Sequence, residues 1–173
     1  MKKLLITSLL PIAMAGAAQA GNTIDMTAHP GNSIQTVLPA HSLGSFAGPD
    51  AWFTGEVKVD MLFNKTTDLQ ASGASVTFQP GARTAWHLHP AGQTLIVTAG
   101  KGLTGYEGGK TVELNPGDVV QCPAGVRHWH GASPDSTMTH IAITGYDAAG
   151  QNVEWFEKVS DAEYLGQAAS AKP

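Results

Sequence analysis

Turn-forming residues recur so closely through the middle of this chain that little except short strands fits between them. Pro80-Gly81, Ala99-Gly100, Gly108-Gly109, Asn115-Pro116-Gly117-Asp118 and Pro123-Ala124-Gly125 either preset φ or permit φ > 0. The runs between them, Gly73–Gln79, Thr84–His89, Thr94–Thr98, Leu103–Glu107, Thr111–Leu114, Val119–Cys122 and Met138–Thr144, carry no strong helical period. Upstream, Glu56 to Met61 alternates polar and apolar as a half-buried strand does. Many short strands joined by tight turns predict an all-β, antiparallel sandwich or barrel. One short helix is expected at the end of the chain, where Ser160-Asp161-Ala162-Glu163 has capping-box spacing ahead of Tyr164-Leu165.

With 173 residues and 42% hydrophobic content, the chain suits one domain with one core. Lys2 and Lys3 precede an apolar run from Leu4 to Met14, followed by Ala18-Gln19-Ala20, so residues 1–20 read as a secretory signal peptide cleaved after Ala20. Pro11 interrupts that run, which is shorter than the roughly 20 residues needed to cross a bilayer, so a retained anchor is the weaker reading. A periplasmic or secreted protein is therefore expected. Residues 21–51 are rich in Gly, Pro, Ser, Thr and Asn and read as a flexible arm, residues 52–166 as the domain, and residues 167–173 as a disordered tail. Removing residues 1–20 takes away two of the ten basic residues and none of the fourteen acidic ones, which leaves eight against fourteen, a net charge of −6. Such a balance offers no electrostatic footprint for nucleic acid or an anionic membrane. Cys122 is the only cysteine, so no disulfide forms within the chain.

Five of the seven histidines lie between positions 87 and 140; His29 and His41 fall in the arm and are expected to be solvated. Successive side chains on a strand point to opposite faces, so His87 and His89 project the same way while Trp86 and Leu88 face the other side. His128 and His130 repeat the pattern around Trp129, and His140 shares a face with Ala142 and Thr144. Each ring alone reads as a hydrogen-bonded core or surface histidine. Several rings in one barrel interior are costly unless partnered, and a metal satisfies many lone pairs at once.

The spacing Gly81-x5-His87-x-His89-x3-Gln93-x6-Gly100 resembles the first motif of the cupin superfamily, and Gly117-x5-Pro123-x-Gly125-x2-His128 resembles the second. The resemblance implies a double-stranded antiparallel β-helix, a jelly-roll-like barrel, over roughly Trp52 to Tyr164. It also implies a divalent transition metal held by His87, His89, Gln93 and His128. Gln93 stands where most cupins have Glu, and Ala132 where the second motif often ends in Asn. A neutral Gln leaves the ion its full charge, which suits polarising a substrate oxygen better than redox cycling. A three-histidine site with Gln93 only lining the pocket is the alternative.

Within the superfamily, the stretches Gly81 to His87, Gly92 to Gly100, His128 to Pro134, Met138 to Ile143 and Val153 to Trp155 are similar to bacterial manganese-dependent cupin hydroxynitrile lyases. Those enzymes cleave or form cyanohydrins such as mandelonitrile. The similarity implies manganese, with iron or zinc as alternatives, and implies that His130 and His140 act near the substrate. His140 is the preferred base, because a neutral imidazole titrating near its ordinary value of about 6.5 can take a proton from a cyanohydrin hydroxyl or hydrogen cyanide. Ala74, Val76, Ala142 and Thr144 are expected to line a small apolar pocket for a small-molecule substrate. Two other functions stand beside the lyase: an oxygen-activating dioxygenase holding iron on the same ligands, and a non-enzymatic module that binds a small ligand or metal.

Cys122 reads as a buried small hydrophobe, Arg83 as a solvated turn residue or surface ion pair, and Asp118 as part of the turn begun at Asn115. Trp52, Trp86, Trp129 and Trp155 read as core or interface anchors. A homodimer or homotetramer is expected, with Val57–Phe63 as a candidate pairing edge.

Overall fold

The computed structural model describes residues 35–166; the stretch read as a signal peptide, His29, most of the stretch read as an arm and residues 167–173 lie outside them. Among the described residues twelve strands precede one helix: β1 (Ser45–Ala47), β2 (Phe53–Thr54), β3 (Val57–Phe63), β4 (Ala71–Phe78), β5 (Arg83–Leu88), β6 (Gln93–Gly100), β7 (Gly102–Tyr106), β8 (Val112–Leu114), β9 (Val119–Cys122), β10 (His128–Ala132), β11 (Met138–Gly145), β12 (Glu154–Lys158) and α1 (Asp161–Tyr164). One sheet runs β1-β3-β4-β11-β6-β9 and the other β12-β5-β10-β7-β8, with β2 also on β5. Every pairing is antiparallel. The all-β barrel read from the turns is thus present, with the short C-terminal helix.

Alternation along the strands separates inside from outside. In the first sheet, register lines Thr144 with Gln93 and Ser72, Ala142 with Leu95 and Ala74, and His140 with Val97 and Val76. The next row, Met138 beside Phe78 beside Val57, closes one end of the interior. Phe78 and Met138 are wholly buried there, packed with Val59, Leu114 and Ala132. Gly100 makes the turn out of β6 possible: its φ is +73°, and a Cβ would sit 1.9 Å from the Thr137 carbonyl oxygen.

A smaller apolar cluster of Trp86, Trp129, Val159 and Tyr164 covers the outer face of the second sheet. This places Trp86 and Trp129 opposite the histidines, as alternation requires. The cluster depends on α1, whose capping box is complete: Ser160 Oγ accepts from Glu163 N–H and Glu163 Oε2 accepts from Ser160 N–H. Tyr164 then donates its hydroxyl to the Ala132 carbonyl at 2.7 Å.

Three expectations change. The stretch read as a flexible arm contains β1, whose Phe46 pairs with Val59, so the sheet begins ahead of Trp52. The same pairing occupies β3 along Lys58–Asp60, so Val57–Phe63 is not a free edge over that length. Arg83 is not solvated: it is buried within β5, donates to the Val159 carbonyl and Asp161, and lies over the Tyr164 ring. Asp118 does close its turn, accepting from Asn115 N–H at 2.7 Å. Cys122 is buried, and desolvation pushes its thiol up to about 11, so it behaves as a small hydrophobe. His41 remains exposed, 3.7 Å from Asp60.

Candidate metal centre

β5 and β10 bring the two histidine pairs together. His87 lies directly opposite His128 in their register, so both rings leave the sheet on one face and their centroids stand 4.3 Å apart. A bulge follows between His128 and Gly131, where Thr84 Oγ1 accepts from the His130 N–H at 3.1 Å. His89 lies 5.1 Å from His87, His130 lies 5.2 Å on its other side, and His140 comes in from β11 at 4.9 Å from His130. All five imidazoles are buried in this continuous file.

The rings divide into two sets by what holds them. Nδ1 of His87 meets the Ala85 carbonyl at 2.9 Å, Nδ1 of His128 meets that of Val126 at 2.9 Å, and Nδ1 of His89 meets that of Asn152. A carbonyl only accepts, so each of these Nδ1 atoms carries the proton and each Nε2 is left with a lone pair. Gln93 is fixed in the same sense: its Nε2 donates to Thr144 Oγ1 at 3.0 Å, which turns Oε1 toward His128 Nε2 at 3.4 Å. Two acceptors so placed repel unless a cation lies between them. His89 Nε2, also buried, has no hydrogen-bond partner. Three imidazole lone pairs and one amide oxygen are therefore left without protein donors and could hold a divalent ion, with the backbone carbonyls as the outer hydrogen bonds that ligating histidines require.

His130 and His140 lack such anchors. His130 Nδ1 and both ring nitrogens of His140 are buried without a partner, although Phe78 packs against both rings at 5.8 and 5.6 Å. No well-formed protein hydrogen bond holds either ring through those nitrogens. Distance groups the residues differently: one nitrogen from each of His87, His128 and His130 lies within 4.8 Å of the others. Thus His130, expected near the substrate, also sits within reach of the ligand pair.

Desolvation dominates the electrostatics. Burial drives His87 and His130 well below their ordinary value, and neighbouring imidazoles deepen both shifts. His89 and His140 are pushed down to about 4, and His128 is lowered too. Every ring is neutral at pH 7, as ligation demands. For His140 this corrects the sequence expectation of titration near about 6.5, because a fully buried ring stabilises the imidazolium poorly. Among the described residues no Asp or Glu is buried, so nothing in the interior offsets the charge of a cation.

Val76, Ala142 and Thr144 are buried on the face shared with His140, and Ala74 is half-buried beside them. None of the last three lines the two surface clefts that reach the centre, nor does Val76. One, of about 470 Å³, reaches Gln93 beside Cys122 and Pro123; the other, of about 340 Å³, reaches His128 past Val120 and Tyr106. Sequence reading missed the Asn152 carbonyl, which arrives from the far end of the chain with no local pattern to mark it. Trp155, read as a core or interface anchor, packs 4.8 Å from His87 and stacks on Trp52.

Two sheets closing on an inward cluster of motif histidines define a cupin, and the Cupin domain family profile matches residues 74–144. The chain belongs to the cupin family. Among its relatives is an (R)-mandelonitrile lyase from Granulicella tundricola, 54% identical over 123 residues that span 71% of this chain and 93% of that one. A cupin-like protein from Thermotoga maritima superposes with a TM-score of 0.65 at 39% identity, covering 80% of this chain and all of that one. A cupin-2 domain protein from Rhodospirillum rubrum shares the fold at TM-score 0.57 and 18% identity, over 83% of this chain and 91% of that one.

Proposed function

We propose that this protein is a metal-dependent lyase that cleaves or forms small cyanohydrins, with manganese held by His87, His89, Gln93 and His128. The observation that carries the reading is the division of the five histidines. Three are locked with Nε2 lone pairs inward beside a locked amide oxygen, and two are left with unpartnered ring nitrogens next to them. The likeness to an (R)-mandelonitrile lyase supports the choice of substrate class. When bound, the ion supplies electrostatic stabilisation for charge on the substrate oxygen.

The chain's own residues handle the proton. In cleavage, a neutral His140 nitrogen takes the cyanohydrin hydroxyl proton while the C–CN bond breaks and the oxygen keeps its electrons as a carbonyl. Cyanide leaves with the bonding pair and takes that proton from the imidazolium, departing as hydrogen cyanide. Burial weakens His140 as a base but makes its imidazolium a strong acid, which favours the second transfer. His130 packs edge-on against that ring, 4.9 Å between centroids, and Phe78 backs both. We place the substituent against Ala74, Val76, Ala142 and Thr144, which share the His140 face although none of them lines the two clefts. Export with cleavage after Ala20 and assembly into a dimer or tetramer belong to the same proposal.

The test is elemental analysis of protein purified without added metal, then mandelonitrile cleavage by wild type and His140→Ala. Stoichiometric transition metal with cleavage lost in the variant supports the reading. Protein that neither holds nor takes up metal removes it, and full activity in His140→Ala removes the proton-transfer assignment.

A further inference from the structure

The distance grouping and the hydrogen-bond grouping of the histidines disagree over one residue, and the disagreement has chemical content. His87 and His128 belong to both sets. His89 and Gln93 complete one through anchored atoms; His130 completes the other, with a nitrogen already within 4.8 Å of the shared pair. His130 is 4% exposed and its Nδ1 has no hydrogen-bond partner. We propose that the barrel offers a second, alternative cation position, deeper than the first, in which His130 replaces His89 and Gln93 on the pair His87–His128.

The two positions suit different ions. The outer set includes an amide oxygen, which manganese accepts readily. The inner set is nitrogen alone, three imidazoles with an open fourth direction, the donor set that zinc takes in tetrahedral sites. A tetrahedral ion with bonds of about 2.1 Å needs its nitrogens roughly 3.4 Å apart, so modest ring rotations close the present spacing. Because both positions use His87 and His128, they exclude each other and the stoichiometry stays at one ion. Given the lyase reading above, zinc in the inner position ties up the ring beside His140 and yields a loaded, inactive protein. The binding claim itself stands apart from activity.

The metal-free full chain would be titrated with manganese and with zinc against a chelating indicator, in wild type, His89→Ala and His130→Ala, with thermal melts confirming that each variant folds. The expected pattern is crossed. His130→Ala weakens zinc by more than about a hundredfold, beyond the usual cost of an outer hydrogen bond, and leaves manganese near wild type; His89→Ala weakens manganese more than zinc. Anomalous diffraction from zinc-loaded wild-type crystals needs no variant and should place the ion within bonding reach of His130. Zinc found on His89, or both ions ranking the variants alike, overturns the proposal. Manganese indifferent to His89→Ala, with zinc still lost in His130→Ala, upholds this position while overturning the ligand set proposed for the lyase.

Discussion

The two ends of the barrel interior are built from the same strands and obey opposite rules. At the closed end, Phe78, Met138, Val57 and Leu114 fill space with apolar atoms and leave nothing to satisfy. One row further along β11, His140 begins a file of buried rings that ends at Gln93 and Thr144, and several of its polar atoms have no partner. Stability resides in the floor, and the histidine file is the part that carries unspent interaction capacity for a ligand.

The largest effect that can break this comparison is on the floor. Phe78 is wholly buried and also backs His130 and His140, so Phe78→Ala should cost about 3–5 kcal/mol in stability by denaturant unfolding. A loss under 1 kcal/mol would mean the floor is not where the fold is held.

Acid comes next, because it attacks only the other end. A histidine whose value in the folded chain lies below its unfolded one binds more protons when unfolded. Its contribution is full above about pH 6.5 and is lost as pH falls toward about 4. For His140, a drop from 6.5 to about 4 makes the loss about 3 kcal/mol, and the other four rings push the same way. Melts of metal-free protein at stepped pH should therefore decline steeply across that window, and Phe78→Ala should decline in parallel from a lower start. A flat profile would show that the rings are already hydrated.

Much of this architecture was legible in the chain. Most of the central strands followed from their turns, α1 from Ser160 and Glu163, and the shared face within each pair, His87 with His89 and His128 with His130, from alternation; β1, β2 and β12 carried no such signal, and the meeting of the two pairs is set by the register of β5 on β10. What stayed hidden arrived from a distance. The Asn152 carbonyl that orients His89 lies 63 residues along the chain, and Val159 and Asp161, which bury Arg83, lie 76 and 78 residues from it. The depressed value of His140 was equally invisible, since it records burial and not residue type. Local signals specify elements; the environment of a titrating group is a property of the closed barrel.

A smaller effect sharpens the boundary between the two ends. Thr144→Val keeps the shape of the side chain and removes the oxygen that accepts from Gln93 Nε2 at 3.0 Å. A buried donor left unmade costs about 1–3 kcal/mol, and the amide is free to turn its oxygen away from His128. Both a lower melting temperature and weaker metal uptake are expected. Unchanged uptake would remove Gln93 from the ligand set.

The smallest effect has the opposite sign, which makes it the sharpest test. At the floor, replacing a buried side chain destabilises because good contacts are lost. At His140 both ring nitrogens are buried without a well-formed hydrogen bond, so the metal-free protein recovers little of the cost of desolvating them. His140→Leu, similar in bulk and free of polar atoms, should therefore leave metal-free stability unchanged or raise it by about 1 kcal/mol, and should also flatten part of the acid decline. Cyanohydrin cleavage should vanish in the same variant. A loss of stability comparable to Phe78→Ala would show that His140 is an ordinary packing residue, and that the interior has one rule from end to end.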